Sequence, residues 1–454
     1  MQSSVSDPKQ SGGYGRLFVG LLALFALVGI QGCATHSEGF RSIEQQAAAR
    51  NIPGAIKALD EFHKTDMTSA HQTLKHLNRG SLLRMQADYT ASNAEFDAAK
   101  GLMDKLSAIS VVEQVGSGVV NDSVKAYTGD GNEQLLVYAF KSLNYLQLGD
   151  FDAAAVEARQ FDIKHRLITE KYPEAKFLSG AFVRYLNGMV YEGVGEMDSA
   201  RIEYTKALEG YESESKFTCC GAPAALKTDL SRIELKSPTR RGKSSSRDQA
   251  QSSATEDKGE VVFFLHNGLG PSLGENIIQL PNPQPSHGSA LLRIALPKFV
   301  ERPTPVTRME ISSGAQSARS EVVEDINALA RKSLEARLPG IQARAVLRLV
   351  AKNAIAAEAK KQSRSASAGS QAGALMSLFG AAMDIANIVS EKADTRTWSL
   401  LPGNIQLARL NLPPGSHDLK VTYYGANGTL LSTREFKGVQ VGPARKTFIS
   451  DYYL

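Results

Sequence analysis

The stretch Arg184–Tyr211, RYLNGMVYEGVGEMDSARIEYTKALEGY, decides how the first half of the chain folds. Small residues and tyrosines recur in it at helical spacing, on both sides of a break at Gly195–Asp198. These residues are Gly188, Tyr191, Gly195, Ala200, Tyr204 and Ala207. A small residue lets a second helix approach closely, and a tyrosine fills the space beside it. The stretch therefore predicts two antiparallel helices that are joined by a tight turn.

The same spacing recurs earlier in the chain. In the preceding unit the matching residues are Ser142, Tyr145, Gly149, Ala154, Ala158 and Phe161. Two weaker copies contain Gly80, Leu83, Phe96 and Ala99, and, after a break at Pro53-Gly54, Ala55, Leu59 and Phe62. The order of small, aromatic and turn residues resembles the tetratricopeptide (TPR) repeat, which has a period of about 34 residues. The turns lie near positions 50, 87, 149 and 195, so their spacings of 37, 62 and 46 residues indicate divergent repeats with insertions.

We therefore predict an all-α, TPR-like helical repeat domain over residues 33–233. A single hairpin cannot bury its apolar face alone, so the hairpins should stack and leave a concave surface for a partner helix or peptide. The alternative is a plain helical bundle without a groove. The largest insertion, residues 109–132, is rich in Gly and Asp, and we interpret it as a recognition or packing loop.

An export signal is expected at the N-terminus. Residues 17–30 are apolar and uncharged and follow the basic Lys9 and Arg16. This run is shorter than the roughly 20 residues that span a bilayer, which is typical of a cleaved signal peptide over residues 1–32.

The residues after this run are more specific. Ile30-Gln31-Gly32-Cys33 resembles the lipobox of bacterial lipoproteins, in which the cysteine receives a diacylglyceride and, after cleavage, an acyl chain such as palmitate. Several acyl chains on one residue hold a soluble domain at a membrane more firmly than one chain does. We therefore expect a lipid anchor on Cys33. Ala34 stands where an aspartate would retain such a protein in the inner membrane, so we expect an outer-membrane location that faces the periplasm.

Composition and cysteine spacing argue against several other functions. The chain carries 52 Lys and Arg against 47 Asp and Glu, a net charge of +5 over 454 residues, which is too weak to indicate a nucleic-acid partner. The three cysteines lack zinc-site spacing, and we interpret Cys219 and Cys220 as small residues at a turn. No metal or cofactor is expected, and a small-molecule ligand is not expected either.

A second domain is expected over residues 259–454. Lys236–Asp257 has no large apolar residue, so residues 234–258 are predicted to be a flexible linker. The predicted strands that follow are Glu260–His266, Leu291–Val300, Arg308–Ser312, Asn404–Leu412, Asp418–Tyr424, Leu430–Lys437 and Lys446–Ile449. The predicted helices are Ser320–Arg337 and Gln342–Lys361. Together they predict an α+β domain that has a small sheet with inserted helices, and Asn427-Gly428 predicts a hairpin.

Three stretches of this domain allow two interpretations each. Residues 368–390 are rich in Gly and Ala and fit a buried helix better than a membrane-touching face, because two polar residues interrupt the apolar run. Residues 268–274 resemble the dinucleotide-binding pattern G-x-G-x-x-G, but the last glycine lies one position too late and Pro271 lies inside the pattern. The polar cluster Lys392–Trp398 fits a structural clasp better than a hot spot for a partner.

The layout as a whole resembles a poorly characterised group of bacterial tetratricopeptide lipoproteins of the cell envelope. The matching stretches are QLLVYAFKSLNYLQLGDFDAAAVEARQFD at 134–162, HNGLGPSLGEN at 266–276 and ADTRTWSLLPGNIQLARLNLPPGSHDL at 393–419. The resemblance implies an exported, lipid-anchored protein with repeats, and it implies no catalytic residue.

We therefore predict a non-enzymatic scaffold or adaptor that binds envelope proteins through its repeats, in envelope assembly or secretion. One alternative is an enzyme that acts on an envelope polymer, with His266, Glu275 and Asp394 as candidate residues. Another is a subunit of a secretion pore complex. The motifs of serine hydrolases, zinc proteases, kinases and P-loop enzymes do not occur in the sequence.

Overall fold

The structure, a computed structural model, describes residues 39–65, 71–113, 126–236, 258–281, 291–365 and 392–454. Helices form the first half and strands form most of the second, so the fold belongs to the mixed α+β class, as predicted. The predicted signal peptide, the lipid site at Cys33 and the helix predicted at 368–390 lie outside these residues, as does most of the predicted linker.

The described part of the first half contains nine α-helices. They are α1 (Arg41–Ala48), α2 (Ile52–Thr65), α3 (Gln72–Met85), α4 (Tyr89–Glu113), α5 (Gly131–Gln147), α6 (Phe151–Lys171), α7 (Ala181–Gly193), α8 (Met197–Glu214) and α9 (Ala224–Lys236). The first eight form four hairpins, α1–α2, α3–α4, α5–α6 and α7–α8, and the two helices of each hairpin pack against each other. Helix α9 extends into the predicted linker as far as Lys236.

The turns of all four hairpins have the same backbone geometry. The residues with positive φ in these turns are Arg50 (58°), Ala87 (63°), Gly149 (75°) and Gly195 (83°). In each turn the following amide donates to the carbonyl five residues earlier, as Asp150 does to Tyr145 over 2.9 Å. This pattern is a Schellman ending of the first helix, which satisfies carbonyls that the helix itself leaves unpaired.

The second half contains ten strands and one long helix among the described residues. The strands are β1 (Gly259–Asn267), β2 (Ser272–Pro281), β3 (Leu291–Val300), β4 (Arg308–Ser313), β5 (Gln316–Arg319), β6 (Glu321–Glu324), β7 (Asn404–Leu412), β8 (Gly415–Tyr424), β9 (Leu430–Val441) and β10 (Lys446–Tyr453). Helix α10 (Ile326–Ser365) lies between β6 and β7. One sheet has the order β10-β1-β7-β6, a second has the order β5-β4-β8-β9, and β2 and β3 form a separate two-stranded ribbon.

Strand β1 shows how the layers fit together. It pairs in parallel with β10 and antiparallel with β7, and its side chains alternate between two apolar surfaces. Val262 and Phe264 belong to a core that is shared with the helices, whereas Val261 and Phe263 belong to a core between the two four-stranded sheets. The molecule therefore has three layers, with the β10-β1-β7-β6 sheet between the helices and the second sheet.

Most of the predicted strands are found close to their predicted bounds. The β8–β9 hairpin turns at Asn427, whose φ is 58°, as the Asn-Gly signal indicated. The predicted helix Ser320–Arg337 is wrong at its start, because Glu321–Glu324 pairs with β7 as strand β6. The predicted break between two helices is also wrong, because α10 continues through Pro339.

Candidate functional site

The residues predicted to pack the repeats lie inside the helical layer. Ala154, Ala200, Tyr204 and Ala207 are fully buried. Gly188 of α7 faces Tyr204 of α8 so closely that an added Cβ would overlap the tyrosine ring. Gly80 faces Phe96 in the same way, and the added Cβ would lie 2.6 Å from that ring.

These pairs occupy the same place in their hairpins. Gly80, Ser142 and Gly188 lie seven residues before a turn residue, and Phe96, Ala158 and Tyr204 lie nine residues after one. Where the first residue is glycine the second is aromatic, and where the first is serine the second is alanine. At all three positions at least one member of the pair is small, which lets the two helices of the hairpin approach closely.

The remaining predicted packing residues lie at the rim of this layer. Tyr191 is buried and the guanidinium of Arg159 lies 6.0 Å from its ring centroid. Tyr145 is half-buried beside the ammonium of Lys141, 5.8 Å from its ring. Gly149 and Gly195 are the turn residues, and an added Cβ would meet nothing within 4 Å at either. They are therefore required for turn geometry rather than for close packing.

The first helix of every hairpin contacts the second half of the chain. Polar contacts join Glu44 of α1 to Arg302, Asn78 of α3 to Leu400, Glu133 of α5 to Trp398 and Glu192 of α7 to Lys446. The contact of α5 is extensive, since nearly every residue of this helix is buried. The inner face of the helical layer is therefore covered by the chain's own strands and by the segment 392–401.

Trp398 is the centre of this junction. Its side chain is fully buried, its indole N–H donates to Ser81 Oγ over 2.9 Å, and its backbone N–H donates to Glu133 Oε1 over 2.7 Å. The rings of Phe96 and Phe140 lie edge-on to it, each at 5.6 Å between centroids. The Lys392–Trp398 cluster thus holds the second half of the chain to the helices.

A buried ionic cluster forms a second connection. Arg409 of β7 pairs with Glu260 of β1 over 2.6 Å and also with Asp229 of α9. Its guanidinium donates to the hydroxyl of Tyr185 on α7 over 2.7 Å. Burial lowers the pKa of Arg409, but Tyr185, Glu260 and Asp229 raise it by more. The pKa of Arg409 is therefore well above its usual value, and its guanidinium stays charged.

A cavity of about 800 Å³ lies where α5, α10, the β2–β3 ribbon and the segment after Lys392 meet. Its charged lining includes Asp130, Glu133, Arg337, Asp394 and Arg396. Two ion pairs lie in this wall: Arg337 to Asp130 over 2.9 Å, and Arg396 to Asp394 over 2.7 Å. The volume is within the range of about 300–1,000 Å³ that is common for small-molecule sites.

The carboxyl group of Glu133 lies in this wall and has a raised pKa. It accepts hydrogen bonds from the Trp398 amide, from the Asp130 amide over 3.0 Å and from the hydroxyl of Tyr127. Burial raises the pKa of Glu133 to about 7, and these hydrogen bonds only partly oppose the increase. Glu133 also forms a capping box with Asp130 at the start of α5, so the same carboxyl has a structural role.

The three candidate residues for catalysis are not brought together. His266 is fully buried and stacks on Tyr452 with 4.5 Å between ring centroids, and burial together with Arg84 lowers its pKa well below the usual value. Glu275 accepts from the amide of Ala393 over 2.8 Å. Only Asp394 lines the cavity. Within the described ranges, no group of three or more His, Cys, Asp and Glu side chains is arranged to hold a metal ion.

The outer face of the helical layer carries a different feature. Val156, Ile163 and Leu167 lie on one side of α6 and are 46%, 51% and 55% exposed. A groove of about 750 Å³ runs beside them and is lined by Ile163, Leu167, Tyr138 and Tyr172. The charged residues Lys164, Lys171, Asp104 and Glu170 also line this groove, and Lys164 pairs with Asp104 over 2.8 Å. The walls of the groove therefore combine apolar surface with charges of both signs.

No protein-family model, no curated protein and no solved structure matches the chain. Among the helices that the structure describes, none is both long and apolar enough to cross a bilayer. Sequence reasoning did not find the cavity, Glu133 or the outer groove. The Asp130-x-x-Glu133 spacing is a capping-box signal that could have placed the start of α5, but no local signal connects it to Trp398, which is 265 residues away.

Proposed function

We propose that the protein is a lipid-anchored scaffold of the bacterial cell envelope, built on TPR-like hairpins, which binds a partner protein on the outer face of α6. The lipid anchor is assigned to Cys33 on the basis of the lipobox, and outer-membrane sorting on the basis of Ala34. Four helical hairpins with the same turn geometry support the repeat assignment.

The observation that carries this proposal is the location of the apolar surface that stays exposed. The inner face of the helical layer is covered by the chain itself, so a partner cannot reach it without displacing Trp398. The outer face of α6 keeps Val156, Ile163 and Leu167 exposed beside a groove. An amphipathic helix fits such a groove through apolar residues at helical spacing, and its polar residues would meet the exposed Glu170 and Lys171 at the rim.

Site-specific crosslinking tests the partner site. A photoreactive residue at Ile163 should capture one envelope protein in intact cells, and a photoreactive residue at Leu430, which is 61% exposed on β9, should not. The captured segment, once identified and synthesised, should bind the purified chain, and Leu167→Glu should weaken that binding at least tenfold. Equal capture at both positions, or binding that Leu167→Glu leaves unchanged, would rule out this site.

The lipid anchor has a separate test. Mass analysis of the N-terminal peptide from membranes should find Cys33 as the first residue with acyl chains attached, and Cys33→Ala should release the protein from the membrane fraction. An unmodified Cys33 would overturn the anchor and leave the partner site to be judged by crosslinking alone.

A second candidate function is an enzyme that acts on an envelope polymer, and the cavity is the observation that favours it. Glu133, with a pKa of about 7, and Asp394 both line this cavity. A carboxyl group with such a pKa can act as a general acid near neutral pH. If purified full-length chain releases fragments from cell-wall polymer, and Asp394→Asn does not, the enzyme becomes the better assignment.

A further inference from the structure

The turn between α8 and α9 carries two adjacent cysteines, Cys219 and Cys220. Cys219 is exposed, whereas Cys220 is only 5% exposed and packs into the core that the helices share with the sheet. Both are free thiols, and their sulfur atoms lie 3.6 Å apart. Packing of a small apolar side chain accounts for Cys220, but it gives no reason for a thiol at the exposed position 219.

Hydrogen bonds anchor the backbone of this turn. The amide of Cys219 donates to Asp325 Oδ2 over 3.3 Å. Asp325 is itself held in place, because its other carboxylate oxygen accepts from the amide of Ala328 at the start of α10 over 3.0 Å. The amide of Cys220 donates to Thr218 Oγ1, also over 3.3 Å. The fold therefore holds the two sulfur atoms in contact with each other.

The contact between the sulfur atoms gives the two thiols different chemistry. The hydrogen bond from Cys220 lowers the pKa of the Cys219 thiol. The same hydrogen bond, together with burial, raises the pKa of the Cys220 thiol. Since the thiolate is the form that attacks a disulfide, Cys219 is the accessible nucleophile, and Cys220 is a protonated thiol beside it.

A disulfide between the two cysteines would be labile. Adjacent Cα atoms lie about 3.8 Å apart across a trans peptide, which is less than the roughly 4.4–6.8 Å that a disulfide usually spans. A bond between Cys219 and Cys220 would therefore be strained and readily reduced, which is typical of regulatory disulfides rather than of structural ones. The third cysteine, Cys33, carries the lipid anchor in the proposed function and offers neither of them a partner.

We propose that Cys219 and Cys220 form a reversible redox site whose substrate is a disulfide, R–S–S–R. The Cys219 thiolate attacks one sulfur of R–S–S–R, which forms a mixed disulfide and releases the first thiol, RSH. Cys220 then gives up its proton and attacks Cys219 Sγ, which closes the bond between the cysteines and releases the second RSH. The pair loses two electrons and two protons, and R–S–S–R gains both. Excess thiol reverses the two steps.

This site goes beyond the scaffold function and uses neither the groove on α6 nor the lipid on Cys33. The periplasm, in which we propose that the chain resides, is an oxidising compartment that supplies disulfides. The chemistry itself belongs to the turn, so it can be tested on the purified chain whatever the outcome of the tests of the lipid anchor and of the partner site.

Mass analysis of one peptide tests the proposal on the full-length chain. Trypsin cuts after Lys216 and Lys227, so both cysteines fall within residues 217–227 and Cys33 does not. The reduced chain is incubated with oxidised glutathione or with the disulfide form of a periplasmic thiol oxidase, and the remaining thiols are alkylated before digestion. We expect the peptide to carry no alkyl group and to be two hydrogen atoms lighter than the dithiol form. Excess reduced glutathione should restore two alkylated thiols, and the faster of the two oxidants identifies a small-molecule or a protein source of the disulfide.

Two single variants separate the roles of the thiols. In Cys220→Ser the bond between the cysteines cannot close, so Cys219 should retain glutathione as a stable mixed disulfide. In Cys219→Ser the remaining thiol is buried and should react with oxidised glutathione about tenfold more slowly. In urea, where burial is lost, the two variants should react at similar rates, which shows that the fold causes the difference.

Three results would overturn the proposal. They are two alkylated thiols with either oxidant at every concentration, a glutathione adduct on the unmutated chain that never resolves, and equal rates in the two folded variants. A disulfide between two chains as the main product would also overturn it, because that result assigns the exposed thiol to a contact with a second copy.

Discussion

The contact between Gly188 and Tyr204 sets the spacing of α7 and α8 at the scale of single residues. Gly188→Ala places a methyl group in the tyrosine ring, and we expect it to lower the free energy of unfolding by about 2 kcal/mol. Gly101→Ala is the matched control, because Gly101 is an exposed residue within α4 and an added Cβ meets nothing within 4 Å. That control should raise stability by roughly 0.5–1 kcal/mol, since alanine favours the helix. Urea denaturation of both variants measures the two effects, and a shift in the same direction for both would contradict this account.

Glu133 should make stability depend on pH in a predictable direction. Its pKa is about 7 in the folded chain and about 4.3 in the unfolded chain, so the folded state binds more protons between these values. This contribution is therefore complete below pH 4 and is lost as pH rises through 7. In Glu133→Gln the fall in stability between pH 5 and pH 8 should become smaller. Urea midpoints at both pH values measure the change, and an unaltered pH dependence would assign the ionisation to another group.

At the scale of elements, the turn of the α3–α4 hairpin is strained where the α5–α6 turn is not. Ala87 adopts φ of 63°, a region that costs an L-residue about 1 kcal/mol, whereas Gly149 adopts φ of 75° without that cost. We expect Ala87→Gly to stabilise the chain by roughly 0.5–1 kcal/mol and Gly149→Ala to destabilise it by a similar amount. Thermal unfolding followed by circular dichroism measures both: Tm should rise in Ala87→Gly and fall in Gly149→Ala. A Tm that shifts in the same direction in both variants would contradict this account of the turns.

The elements themselves differ in how far the sequence predicts them. The strand β3 was predicted with its observed bounds, and the helix pair around Gly195 followed from local spacing. Strand β6 was predicted as helix because its four residues are ordered by pairing with β7, which begins 80 residues later. The cavity could not be predicted, because its walls come from α5, α10 and the segment after Lys392, and no local pattern reports that these meet.

At the scale of the whole molecule, the two halves share one hydrophobic core. Residues of the helices and residues such as Phe264 of β1 and Trp398 belong to the same cluster of buried side chains. We therefore expect the two halves to unfold together. Trp398 fluorescence and far-ultraviolet circular dichroism should give the same urea midpoint. Two separate midpoints would show that the helices and the sheets are independent units.

The ionic cluster at Arg409 makes this coupling measurable by mutation. Arg409 contacts Asp229 of α9 and Glu260 of β1, and both carboxylates are largely buried. Removing the cation in Arg409→Met would leave Asp229 paired only with Arg232 and Glu260 only with Lys446, 3.9 Å away. We therefore expect a loss of about 3 kcal/mol, at the low end of the cost of breaking a buried ion pair. Arg331→Met is the control, since Arg331 pairs with Glu301 at the surface and such pairs contribute less than about 1 kcal/mol. If the halves are coupled through Arg409, the fluorescence and dichroism midpoints should fall together in Arg409→Met; a fall in only one of them would mean that the cluster stabilises one half alone.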